Sequence, residues 1–454
     1  MSPLQRVATL SEHRPHLLYL AVGFPPAAKS SAYRLRETAN QFCAAGWDVT
    51  VINPDDESWR RDFGLDFSLM DEVDKRVQFH NVRLVRPDQE TDIRRFSQER
   101  ALDPAGWRRQ YLARSQRDFP ERIFGAWKRP LIRAAEAVHE ARPIDLVLAT
   151  SPPYVSFAVA RHMFETHGVR YAVDFRDGWS IDVVQGTEAF TPESLSGKIE
   201  AATLADALAV WVVNEPIASH YRHWYPELAE RIHVVRNGFD PASQPPIPSM
   251  PPDDQPLVFG YLGTARISAV MLRAVLESWR RARADDPLLA NARFEFRGHS
   301  GSAADRASNG VTDLVGSARD QGVTYGGPVA KRDLPALYSS WDALVFMHIG
   351  GRYVTSGKVY EYMATGLPIV SGHAIEHDAS VLLSGYRLWT GASGTDIDGI
   401  YRSFRLAARL ARQATTEERL AARGYAAQFE RAGILRPAVS ALINEAHRSG
   451  VVAL

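Results

Sequence analysis

The run Thr355-Ser356-Gly357-Lys358-Val359-Tyr360-Glu361 places a hydroxyl, a flexible backbone position, a cation and a carboxylate close together. It reads as a loop opening a short helix, followed by Gly366 and a buried strand. Gly357 lets the chain turn tightly, and Ser356 with the first free amides of the helix can accept a phosphate. Lys358 supplies positive charge. Glu361, three positions further on the same helical face, can accept hydrogen bonds from paired ribose hydroxyls. This combination suits a nucleoside diphosphate. On the plainer alternative, Ser356 is only an N-cap, and Lys358 and Glu361 form a weak surface pair.

A second polar cluster, Asp174-Phe175-Arg176-Asp177-Gly178-Trp179, follows an apolar run. Asp177 is the candidate acceptor-side contact or proton acceptor, and Trp179 a candidate apolar wall. Arg176 could instead pair with Asp174 or Asp177 as support. The 14 histidines show no metal-ligand spacing, and His299 is the one assigned to the donor side. No Asp-x-Asp pair stands in the candidate donor loop, so no cofactor and no essential divalent metal is expected.

These residues need a scaffold that delivers them from strand ends. Residues 16–22 read as a buried strand, 33–44 as a helix with Leu35, Ala39 and Phe42 at helical spacing, and 49–52 as the next strand. The alternation returns at 144–149, 171–174 and 208–213. It resumes at 257–262, 271–283, 294–298, 323–325, 334–338, 343–347, 359–364 and 369–370, and residues 404–432 read as helices. Strands alternating with helices imply largely parallel α/β sheets. Between them lie Pro241, Pro245, Pro246, Pro248, Pro251, Pro252 and Pro256, which neither helix nor central strand accommodates. The expected layout is an N-terminal Rossmann-like domain over 1–240 with an insertion at about 55–142 and a Pro-rich linker at 241–256. A C-terminal Rossmann-like domain follows over 257–430, and a helical segment over 431–454 could return to the first lobe.

The stretch from 325 to 372 resembles the donor-binding signature of glycosyltransferase family 4. The likeness rests on Gly326-Gly327-Pro328-Val329, Leu334-Pro335-Ala336-Leu337-Tyr338, Asp342-Ala343-Leu344-Val345-Phe346 and the run ending at Glu361. Val234-Val235-Arg236-Asn237-Gly238-Phe239-Asp240 and Phe24-Pro25-Pro26 extend it. The resemblance implies an α/β fold of two Rossmann-like lobes facing across a cleft, GT-B type, with the 1–240 domain on the acceptor side and the 257–430 domain binding the nucleotide-sugar, acting on a nucleoside diphosphate sugar with retention. It implies that Glu361 holds the donor ribose, and it matches Arg266 in Gly263-Thr264-Ala265-Arg266 to a phosphate ligand. The expected catalytic residues are therefore Asp177, Arg266 and Lys358. The expected donor-binding residues are Gly263, Thr264, Arg266, His299, Ser356, Gly357, Lys358 and Glu361. The sequence departs from the family where an acidic residue often stands eight positions before Glu361, here Tyr353. The lysine-glycine pair after the second lobe's first strand is absent, and Lys29-Ser30-Ser31 replaces a Gly-Gly in the first lobe.

In its 454 residues, 53 basic and 53 acidic side chains cancel, which gives no support for a nucleic-acid partner. Cys43 is the only cysteine, so no internal disulfide and no Cys-rich metal site is expected. A cytoplasmic location is expected, with peripheral membrane contact not favoured. Residues 94–133 hold 11 Arg or Lys against 4 Asp or Glu, interleaved with Trp107, Tyr111, Phe119, Phe124 and Trp127. That insertion could face an anionic or mixed acceptor, or its aromatics could simply pack it onto the first sheet while the arginines stay in solvent. The alternative functions are a pseudo-glycosyltransferase or non-catalytic nucleotide-sugar binder and, more remotely, a dinucleotide oxidoreductase. The last lacks a Gly-x-Gly-x-x-Gly after a first strand.

Overall fold

A computed structural model describes residues 14–62, 64–121, 123–183, 185–263, 268–298, 311–348 and 350–450. Its strands are β1 (His16–Leu20), β2 (Asp48–Pro54), β3 (Val77–Val82), β4 (Leu146–Ser151), β5 (Arg170–Phe175), β6 (Ile181–Asp182), β7 (Thr187–Glu188), β8 (Val210–Val212) and β9 (Ile232–Val234). They continue as β10 (Val258–Leu262), β11 (Arg293–Arg297), β12 (Val323–Tyr325), β13 (Ala343–Met347), β14 (Ile369–His373) and β15 (Trp389–Ser393). One sheet has the order β3-β2-β1-β4-β5-β8-β9, another β12-β11-β10-β13-β14-β15, and β6 pairs with β7 in a small antiparallel ribbon. Both large sheets reverse direction of growth beside their first strand, the doubly wound order. β1, β13 and β14 are buried along their whole length, as strands covered on both faces must be. By internal contact density the chain divides into two compact units. One comprises Met1–Phe175, Ile199–Trp211 and Arg436–Leu454, the other Arg176–Lys198 and Val212–Leu435.

In the first unit the helix Ala32–Ala44 buries Leu35, Ala39 and Phe42, as the spacing predicts, but it also buries Arg34 and Arg36. Arg34 grips Asp174 of β5 through both ends of its guanidinium, at 2.7 and 3.0 Å, with both side chains almost fully buried. Asp174 is thus held by a residue 140 positions away, where the sequence offered Arg176 next door. In the insertion, the helix Pro104–Asp118 starts on its proline, with Asp103 accepting the Gly106 N–H at 2.8 Å, and stops before Pro120. Trp107, Phe119 and Trp127 are buried, whereas Arg108, Arg109, Arg114 and Arg117 are exposed. The Arg100 guanidinium lies 3.7 Å from the Phe96 ring centre and 4.7 Å from that of Trp107. The aromatics therefore consolidate the insertion, and the arginines form its wetted surface.

Glu121, at the end of this insertion, accepts the Val155 N–H at 2.8 Å at the start of the helix Val155–His167. Burial pushes its carboxyl up to about 7 from 4.5, outweighing the lowering by the Val155 and Tyr154 amides. Between those pH values the folded chain keeps a proton that the unfolded chain has released, so stability falls as pH rises through the window. Glu121→Gln should abolish a slope of up to about 1 kcal/mol per pH unit. Urea melts of both proteins from pH 4.5 to 7.5 test this; parallel pH profiles would remove the assignment.

The second unit packs β10 and β11 against the helices Ala269–Asp285 and Ile397–Gln413, with Phe259, Trp279, Phe294 and Phe404 in mutual ring contact at 5.2 to 6.1 Å. The Pro-rich segment ahead of β10 has few N–H groups to offer, and its carbonyls are met from outside. Arg412 donates to Pro251 O at 3.0 Å and to Pro252 O, and Arg423 donates to Pro245 O. Backbone acceptors that cannot join a ladder are satisfied by side chains instead.

Candidate functional site

β10 and β13 are neighbours at the point where the second sheet changes its direction of growth, and in such sheets ligands gather beyond the carboxyl ends of those strands. Gly263 directly follows β10, and the segment after β13 leads into the helix Gly357–Met363. Val359, Tyr360, Tyr362 and Met363 bury one side of that helix. The Tyr362 hydroxyl accepts the Leu262 N–H at 2.8 Å and donates to Leu262 O at 3.2 Å, pinning the helix to the end of β10. Burial raises the Tyr362 pKa well above its ordinary value, so it stays a donor.

Ser356 is the N-cap, its Oγ accepting the Lys358 N–H at 3.3 Å. Lys358 Nζ lies 2.6 Å from Glu361 Oε2, with the two side chains 30 % and 13 % exposed. Tyr338 donates to that same oxygen at 3.1 Å, while Glu361 Oε1 receives no hydrogen bond from the described residues. The carboxylate is therefore held by one oxygen and open at the other. The helix spans only seven residues, so little dipole is available and charge must come from Lys358. At Gly357 an added Cβ would meet nothing within 4 Å. The turn itself does not demand glycine there, and the space stands open for close approach by a ligand.

The strand ends around Gly263 are tied backbone to backbone. Gly263 N–H donates to Arg297 O at 3.0 Å, Gly298 N–H to Gly327 O at 2.9 Å, and the Tyr325 hydroxyl to Gly298 O at 2.7 Å. Gly298 has φ +126°, and a Cβ there would fall 2.0 Å from Gly263 O. Thr264, Arg266 and His299 lie outside the described residues.

Asp177 sits in the turn beyond β5. Although partly exposed, it is crowded by protein atoms; this desolvation raises its carboxyl pKa, and Arg176 opposes the rise. Trp179 is buried rather than lining open space, packs edge-on against Phe190 at 5.7 Å, and donates its backbone N–H to the Tyr221 hydroxyl at 2.9 Å.

Sequence reasoning missed a polar web beside the candidate donor loop. Asn214 caps the helix Glu215–Trp224, accepting the Ile217 N–H at 2.9 Å, and its amide donates to Tyr353 O and Thr355 Oγ1, both at 3.0 Å. Thr355 donates to Asp378 Oδ2 at 2.6 Å, which also takes Arg236 at 2.8 Å. The signal available was Asn214-Glu215-Pro216, an N-cap followed by an acidic residue and proline. Within the second unit Tyr353, Asp378 and Arg236 of this web border a cavity of about 760 Å3, whose walls also include Glu188, His220, Trp224 and Glu376. Nearby, the His348, His373 and His377 rings cluster, with centroids 4.8 and 5.5 Å apart. Burial lowers their pKa values to about 4, 4 and 3, so all three are neutral at pH 7. Among the described residues no group of three or more His, Cys, Asp or Glu is placed to hold a metal ion.

Residues 31–238 match the family model described as a glycosyl transferase 4-like domain. The fold is of the GT-B type, and within it residues 31–238 are similar to a glycosyl transferase 4-like domain. A glycosyltransferase from Rickettsia africae ESF-5 is similar in structure at 12 % identity, covering 95 % of this chain and 99 % of that one, with a TM-score of 0.64. HepE from Anabaena, solved in complex with UDP and glucose, is similar at 15 % identity over 95 % and 100 % of the two chains, with a TM-score of 0.57. A putative UDP-N-acetylglucosamine 2-epimerase from Listeria monocytogenes shares the fold at 9 % identity over 96 % and 97 %, with a TM-score of 0.55. No curated protein matches the chain in sequence. The fold thus hosts more than one chemistry, and activity must be argued from the site.

Proposed function

We propose that the protein is a retaining glycosyltransferase that moves a sugar from a nucleoside diphosphate sugar to a small-molecule, glycan or lipid acceptor. The observation that carries this reading is the Ser356, Lys358 and Glu361 constellation at the end of β13, where Glu361 presents one open oxygen. Glu361 receives the ribose hydroxyls. Ser356, Lys358 and Arg266 face the diphosphate, with Gly263, Thr264, Gly357 and His299 around it. In the reaction the bond from the sugar's anomeric carbon to the diphosphate oxygen breaks, and its electron pair leaves with the nucleotide. Lys358 and Arg266 stabilise that developing charge. The acceptor's nucleophilic atom bonds the same carbon, and its proton passes to Asp177, whose raised pKa makes it a better base than an ordinary aspartate.

Two of the three residues assigned to the diphosphate, Lys358 and Arg266, are cationic and none is a carboxylate, so turnover should survive chelation. A panel of nucleoside diphosphate sugars, with UDP-glucose included because HepE was solved with UDP and glucose, incubated with candidate acceptors and analysed by mass spectrometry, tests the function. Product is expected with and without EDTA. Loss of transfer on chelation, restored only by magnesium or manganese, would overturn the metal-free reading. Donor binding without product across the panel would favour a non-catalytic nucleotide-sugar binder, the reading that Tyr353 in place of an acidic residue supports. No helix among the described residues is long and apolar enough to cross a membrane. The proposal includes a cytoplasmic location, which cell fractionation checks.

A further inference from the structure

We propose that the cavity beside the helix Glu215–Trp224 is a carbohydrate subsite that seats a neutral sugar ring of the acceptor, with Trp224 as its stacking face and Glu188 and Glu376 as its hydroxyl ligands. The inference rests on the glycosyltransferase reading for the word acceptor, but not for the chemistry of the pocket. Its volume of about 760 Å3 is in the range of small-molecule sites. The His220 and Trp224 rings lie 4.7 Å apart and give an aromatic surface, the kind of face on which the C–H side of a pyranose packs.

The charges on the walls decide the ligand class. Asp378 is already engaged by Arg236 at 2.8 Å and by Thr355 at 2.6 Å, and Glu215 by Arg222 at 2.6 Å. Arg352 donates to the Tyr353 hydroxyl at 2.8 Å and lies 4.8 Å from the centre of its ring. Glu188 and Glu376 are exposed, and their side chains make no hydrogen bond or ion pair with the described residues. Two open carboxylates against one guanidinium leave the cavity short of positive charge, so a phosphate or carboxylate group gains nothing there. Each carboxylate can accept two hydroxyl protons, the complement of a vicinal diol. His220 adds no charge: burial lowers its pKa to about 4, with Glu188 opposing, so it is a neutral ring at physiological pH. Its Nε2 is 3.1 Å from Ser180 Oγ, which fixes the ring beside Trp224. Tyr353 lines the cavity three positions before Ser356, so a sugar seated there lies against the loop that leads to the donor residues.

The probes are methyl α-glucoside, methyl α-galactoside, methyl α-mannoside and methyl β-N-acetylglucosaminide, with glucose 6-phosphate as the anionic control. Saturation-transfer NMR on the full chain without nucleotide reads their binding, and UDP affinity is measured alongside by calorimetry. At least one neutral glycoside is expected to bind, and glucose 6-phosphate to bind at least about 5-fold more weakly. Trp224→Ala and the surface changes Glu188→Gln and Glu376→Gln should each reduce glycoside affinity about 10-fold while leaving UDP affinity within about 2-fold. Glu188→Gln keeps the test sound if Trp224→Ala fails to fold. No binding by any neutral glycoside, a preference for glucose 6-phosphate, or unchanged binding in both carboxylate variants overturns the subsite. Failure of UDP to bind would instead count against the donor reading and leave glycoside binding to be judged by itself.

Discussion

Glu361→Ala should weaken binding of a nucleoside diphosphate by about 10- to 100-fold, since hydrogen bonds to a charged group contribute about 1.5 to 3 kcal/mol. The geometry makes this loss specific. Tyr338 and Lys358 hold Oε2 at 3.1 and 2.6 Å, so the carboxylate is positioned before the ligand arrives and little ordering remains for binding to oppose. Its removal strands no buried charge, because Lys358 is 30 % exposed and solvated without its partner. Thermal stability should therefore move by about 1 kcal/mol or less, and affinity should carry the effect. Calorimetry with UDP on Glu361→Ala, Lys358→Ala and the double variant separates the roles. If each single variant binds UDP as the parent does, neither residue belongs to a nucleotide site. Lys358→Ala would remove the cation proposed to face the diphosphate but also free Glu361, so its loss should be the smaller of the two.

Asp174→Asn is expected to cost about 3 to 5 kcal/mol of stability, the range for leaving one partner of a buried ion pair uncompensated. Arg34 and Asp174 have side-chain exposures of 2 % and 0 %, so water cannot replace the lost partner. The Thr150 hydroxyl, 3.3 Å from Asp174 Oδ2, belongs to the same buried group. Replacing both partners by apolar residues, Arg34→Met with Asp174→Leu, should recover much of the loss, because no charge then remains to be buried. Denaturant melts of the single and double variants provide the readout. A single variant less than about 1 kcal/mol below the parent would show that this pair is not what anchors the helix Ala32–Ala44 to β5.

The sheets were legible because buried parallel strands write themselves as short apolar runs. Residues 16–22, 144–149 and 343–347 correspond to β1, β4 and β13 within a few positions, and Leu35, Ala39 and Phe42 marked the buried side of their helix. Ser356 could be read as an N-cap and Lys358 with Glu361 as an i, i+3 pair, and both contacts form. Tyr338, which completes the hold on Glu361, was visible as part of a motif but not as a ligand. Long-range polar pairing was beyond reach. Nothing near Arg34 announces a partner 140 residues away, and local spacing offered only Arg176 as a possible partner for Asp174 or Asp177. The cavity was hidden for the same reason, since Glu188, His220, Tyr353 and Glu376 share no periodicity and meet only through tertiary packing. Gly357 was read as a turn glycine, whereas Gly298, held at φ +126° against Gly263 O, is the position where the backbone requires one.

Asn214 joins two things that a bisubstrate protein would otherwise move separately. Its oxygen holds the first turn of the helix Glu215–Trp224, and its nitrogen holds Tyr353 O and Thr355 Oγ1. The amide has both donors in use, so a ligand that tilts this helix drags the loop preceding Ser356 with it. With both proposed sites in use, occupancy on one side would change affinity on the other, and thermodynamic reciprocity would require the same factor in both directions. An Asn214→Ala variant would be expected to bind each ligand independently, its saturation curves for one substrate no longer shifting with the concentration of the other.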